Sequence, residues 1–114
     1  MIRVMGLFVS IAGEEAPRGF YATVYVDMGS FEAMRDAARD DMLARMARHG
    51  VGLVEEGACR TLIVIVGMYE GPSESDPKKP DGFTFWPQDT LWERIRGAAD
   101  SAWQRWRRPE MVLV

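Results

Sequence analysis

Apolar positions along the chain switch between a two-residue and a three-to-four-residue rhythm, and each switch marks a new element. Residues 2–12 are apolar on both alternating sides, with Met5, Leu7, Val9 and Ile11 on one and Val4, Gly6 and Phe8 on the other. That pattern predicts an interior strand covered on both faces. The polar connector GEEAPRG follows. Residues 20–28 then alternate cleanly, with Phe20, Ala22, Val24, Val26 and Met28 facing one way and Tyr21, Thr23, Tyr25 and Asp27 the other. The short connection predicts a hairpin.

Ser30 suits the N-cap of a helix whose apolar stripe is Phe31, Met34, Ala38, Met42 and Met46. Gly50 is the expected left-handed cap, with His49 at the negative helix end beside it. Residues 51–55 and 59–69 predict a second strand pair around the turn Glu56-Gly57-Ala58. Leu62, Val64, Val66 and Met68 on one side and Ile63, Ile65 and Tyr69 on the other place the longer strand at the centre of the sheet. The proline-bearing segment 70–82 reads as a surface loop, and residues 83–86 as a short edge strand.

A capping box, Thr90 with Glu93, opens the last helix, and Pro109 stops it. Trp92, Ile95, Ala99, Ala102, Trp103 and Trp106 share one face. Ile95, Ala99 and Trp106 run along the middle of that stripe and are expected to pack on the sheet. Trp92 and Trp103 lie near its edge, where at least one is expected to stay exposed. The final MVLV can add a strand. The order ββαββα(β) gives an α+β class, one domain over residues 1–114. It predicts a two-layer sandwich, a mainly antiparallel sheet with both helices on one face. In element order it resembles ferredoxin-like sandwiches and the small inhibitors that bacteria make against their own toxins.

Composition narrows the function classes. A hydrophobic share of 47% and a charged share of 27% are those of an ordinary globular chain. The net charge of −3 argues against non-specific nucleic-acid binding. Its distribution is uneven, acidic over residues 50–86 and basic over residues 93–108. The single cysteine, Cys59, excludes an internal disulfide and suits a reducing, cytoplasmic setting, with the thiol read as a small buried hydrophobe. The first residues read as a strand rather than a secretion signal, and the longest apolar run, LIVIVGM, is too short to cross a bilayer.

Candidate chemistry is sparse. One histidine and one cysteine form neither a nucleophile–base pair nor a zinc motif, and no GxSxG, HExxH, CxxC or phosphate-cradling loop occurs. Glu32, Asp36 and Asp40 align on one helix face, but Arg35 and Arg39 flank them, so the row reads as an ion-paired surface. No catalytic residue, metal or cofactor is therefore expected. Trp92 and Trp103 are the candidate partner-binding residues. Tyr21, Tyr25 and Asp27, on the outer face of the second strand, are candidates for one wall of a ligand cleft.

The expected function is a non-enzymatic binding protein: an inhibitor, an immunity-type partner or an assembly subunit. Its partner is expected to be a protein or a second copy, with no nucleic acid or membrane. The alternative is a small cofactor-independent enzyme or ligand-binding domain with a pocket between sheet and helices. For the fold, Val64→Asp should prevent soluble expression, because an unpaired buried charge costs several kcal/mol, on the order of 3–5. Normal yield with an unchanged melting curve would remove Val64 from the core.

Overall fold

The computed structural model describes residues 1–27, 29–57, 59–69, 83–88 and 90–114. Its elements are β1 (Ile2–Ile11), β2 (Arg18–Val24), α1 (Phe31–Arg48), β3 (Val51–Leu53), β4 (Leu62–Met68), β5 (Thr84–Pro87) and α2 (Leu91–Arg107). A 3-10 turn over Pro109–Met111 follows. The predicted loop over residues 70–82 lies outside the described residues. All the strand pairings among the described residues are antiparallel, and the class is α+β.

β1 is the centre of the sheet, as its two-sided apolar pattern predicts. β2 pairs along one side of it as a hairpin, and β5 adds to the far side of β2. The other side of β1 is shared. β3 pairs with Val9–Ile11 and β4 with Ile2–Leu7. The second strand pair is therefore not a hairpin. β3 and β4 run end to end along one edge of β1, and the chain leaves the sheet between Leu53 and Leu62.

β4 is also not the central strand. Among the described residues its outer side meets only the C-terminal ones, where Val112 bridges Val64 and Leu113 N donates to Ile63 O at 2.7 Å. Leu62 and Val64 are fully buried as expected, whereas Val66 is only half-buried.

β1 carries a bulge that its alternation does not announce. Gly6 pairs with Phe20 but Val9 pairs with Arg18, so β1 spends one extra residue across Leu7 and Phe8. Phe8 has φ +58°, rare for a non-glycine residue. Phe8 thereby joins Met5 and Leu7 on one face, while Val9 rejoins Ile2 and Val4 on the other. The uninterrupted two-sided pattern expected for residues 2–12 holds only as far as Leu7.

Two buried side chains hold this backbone. Phe8 N donates to Gln88 Oε1 at 2.8 Å, and Thr61 Oγ1 donates to Phe8 O at 2.8 Å while accepting from Val54 N at 2.7 Å.

The helices take opposite faces, not one. α1 packs Ala38, Met42 and Met46 onto Ile2, Val4, Val9, Phe20, Val24, Ile63 and Ile65. It also buries Arg45, which donates to Thr23 O at 3.1 Å and to Asp41 Oδ2 at 2.9 Å. β5 reaches only as far as Tyr21 on that edge, so Arg45 satisfies a strand carbonyl beyond its end. α2 lies over the other face, against Phe8 and Gln88.

The caps follow the sequence: Ser30 Oγ accepts from Ala33 N, Thr90 Oγ1 accepts from Glu93 N, and Gly50 has φ +68° after His49. Glu32, Asp36 and Asp40 sit on an exposed face where Arg39 lies 4.0 Å from Asp36 and 3.7 Å from Asp40.

Gln88→Leu should destabilise the fold by about 1–3 kcal/mol, since it leaves Phe8 N buried without an acceptor. Thermal melting checks this, and an unchanged midpoint would show that the bulge holds without it.

Candidate functional site

α2 is amphipathic, and its orientation is the unexpected feature of the molecule. The residues it buries are Gly97, Ser101 and Gln104. At 100° per residue these three lie diametrically opposite the apolar stripe. The stripe therefore faces solvent along the whole helix. Leu91 is 74% exposed, Trp92 66%, Ile95 53%, Trp103 49% and Trp106 72%. Ala99 and Ala102 between them are exposed too. No apolar side chain of α2 enters either buried cluster. Both edge tryptophans are exposed as expected. The middle of the stripe, Ile95, Ala99 and Trp106, does not pack on the sheet.

The physical reason is local. A Cβ on Gly97 would stand 2.6 Å from Phe8 Cζ and 2.7 Å from Gln88 Nε2, so any larger residue there must displace the Phe8 ring or the Gln88 amide. Two polar contacts flank it. Arg94 Nε donates to Gln88 O at 3.3 Å, and an Arg105 Nη donates to Thr61 O at 2.9 Å. Burial, and then the neighbouring Arg60, lower the pKa of the Arg105 guanidinium from its ordinary value. Gln88 and Thr61 thus form a polar seat, which α2 meets with Arg94 and Arg105 on its polar side.

Between α2 and the sheet, beside Gln88, lies an open groove of about 600 Å³, lined in part by Tyr21, Trp86, Glu93, Arg96 and Asp100. Tyr21 stacks at 4.8 Å on Trp86, with the Arg3 guanidinium 5.0 Å from its ring. Glu93 Oε2 is buried without a hydrogen-bond partner among the described residues. Tyr25 and Asp27 do not line this groove, because β2 ends at Val24 and both residues follow it. The predicted wall is thus reduced to Tyr21, joined by Trp86 from β5.

His49 lies elsewhere, edge-on to Phe83 at 5.5 Å. Cys59 is half-buried against Leu62, Val64 and their neighbours rather than fully enclosed.

Sequence reasoning found the tryptophan stripe but missed Gln88, Thr61 and Arg45. Arg45 carried a signal, since it falls beside Met42 and Met46 on the apolar side of α1. Gln88 and Thr61 carried none, because a lone polar residue beside a strand is common.

Compared with protein-family models, curated proteins and solved structures, the chain finds no match in any of the three.

Two substitutions separate the inner and outer sides of α2. In dilute solution Trp106→Gln should leave stability within about 0.5 kcal/mol of the parent, as for an ordinary surface change. Gly97→Leu should cost about 1–3 kcal/mol by overpacking against Phe8. Thermal denaturation of both variants checks the pair, and the reverse order would mean that the stripe is core.

Proposed function

We propose that this chain is a small non-enzymatic binding protein and that the outer face of α2 is its binding surface. One observation carries the reading: an unbroken apolar stripe, with three tryptophans on it, is exposed along a helix that seats by its polar side. Folded monomers rarely leave a contiguous apolar patch beyond about 300–600 Å² uncovered. Tryptophan is also the residue type that most often anchors an interface. Three arginines border or follow the stripe, Arg96, Arg107 and Arg108, and an apolar core with a charged rim is the usual anatomy of a protein interface.

Within this reading the protein acts as an inhibitor, an immunity-type partner of bacterial kind or an assembly subunit. A reducing cytoplasm suits the single thiol of Cys59. No helix among the described residues is long and apolar enough to cross a membrane.

The groove beside Tyr21 supports a second reading, a ligand-binding domain or small enzyme. The buried, unpartnered Glu93 oxygen there is the kind of group that a ligand donor would satisfy.

A photoreactive side chain placed at position 106, with position 32 on the exposed face of α1 as control, tests the binding reading in cells. Cross-linked protein at position 106 and none at position 32 is the expected outcome. Equal labelling at both positions, or none at either, would refute it. Loss of a small-molecule binding signal in Tyr21→Ala alone would favour the groove instead.

A further inference from the structure

We infer that the surface on α2 receives a second copy of this chain, with the two helices antiparallel and crossing at Ala99. This rests on the binding reading above and specifies its partner.

The stripe is laid out symmetrically about Ala99. Trp92 and Trp106 stand seven residues to either side of it, and Ile95 and Trp103 stand four. A two-fold interface applies the same surface to itself, so each contact occurs twice. Antiparallel pairing about Ala99 sets Trp92 against Trp106 of the other copy, and Ile95 against its Trp103. Ala99 meets Ala99 at the crossing, where a small side chain lets helix axes approach to about 8 Å. Large rings at both ends and a small residue at the crossing make the face complementary to its own inverse.

Charge agrees with this register. Arg96 and Asp100 stand on one edge of the stripe, and neither makes an ion pair within the chain among the described residues. Antiparallel pairing brings Arg96 of one copy beside Asp100 of the other, twice per dimer. On the opposite edge Arg94 and Arg105 would face each other. Both guanidiniums instead turn back to their own chain, at Gln88 O and Thr61 O.

The area is sufficient. Three tryptophans of about 150–250 Å² each, half to three-quarters exposed, with Leu91 and Ile95, amount to on the order of 500–700 Å². That is close to the roughly 800 Å² per partner of a standard stable interface.

The test is the mass of the full chain across a dilution series, by native mass spectrometry and light scattering. A dimer that becomes monomeric in Ala99→Glu, with an unchanged circular-dichroism spectrum, is the expected result. Trp106→Gln serves the same purpose if Ala99→Glu fails to fold. Arg96→Asp and Asp100→Arg should each weaken dimerisation about tenfold or more, and the double exchange should restore it.

A chain that is monomeric throughout the series, or a dimer indifferent to both Ala99→Glu and Trp106→Gln, overturns the inference. If that monomer still cross-links through position 106 to a different protein, the binding reading survives and only the second copy is lost. A shift of tryptophan emission with anionic vesicles, and no dimer, would assign the face to lipid instead and likewise overturn the inference.

Discussion

The arrangement turns on how the backbone of Phe8 is held. One extra residue in the middle of β1 reverses which side each later side chain faces, because the strand period is two. Val9 thereby stays with the α1 core, and Phe8 is delivered to the opposite face. A left-handed phenylalanine is costly and persists only where its surroundings over-determine it. Here Gln88 holds its N–H and Thr61 its carbonyl, from segments 80 and 53 residues away in sequence. The bulge thus joins the β3–β4 excursion, the end of β5 and the start of α2 at one point.

The same point decides how α2 sits. A helix normally buries its apolar stripe, since that removes the most apolar surface from water. In this molecule the landing site is a ring edge, a buried amide and two strand-associated carbonyls, and the complementary side of α2 is its polar one. Gly97 admits Phe8, and the arginines at either end reach the carbonyls. This seating satisfies Gln88 O and Thr61 O and leaves the apolar stripe outward, while Glu93 Oε2, Gln104 Oε1 and Arg105 Nε are buried without partners among the described residues. The proposed binding face would then be a consequence of folding, since the bulge at Phe8 seats α2 with its stripe outward.

Much of the fold was legible because local patterns report local geometry. The caps at Ser30 and Thr90, the turn at Gly50, the β1–β2 hairpin and the limits of both helices each depend on a few neighbouring residues. The stripe on α2 was legible for the same reason. Its direction was not, because a helical stripe shows which residues share a face and not whether that face is covered. The end-to-end course of β3 and β4 was likewise hidden, since an apolar run followed by a turn signal fits a hairpin as well as an interrupted strand.

By itself the sequence determined the α+β class, the order of strands and helices and the helix caps, all of which follow from periodicity and local turn chemistry. Tertiary structure alone decided the bulge at Phe8, the place of the helices on opposite faces, the reduction of the Tyr21, Tyr25 and Asp27 wall to Tyr21, and the outward turn of Trp92, Trp103 and Trp106. These depend on which distant groups complete each other's hydrogen bonds, as Gln88 and Thr61 do for Phe8. No spacing along the chain encodes that pairing, because it exists only once the segments have met.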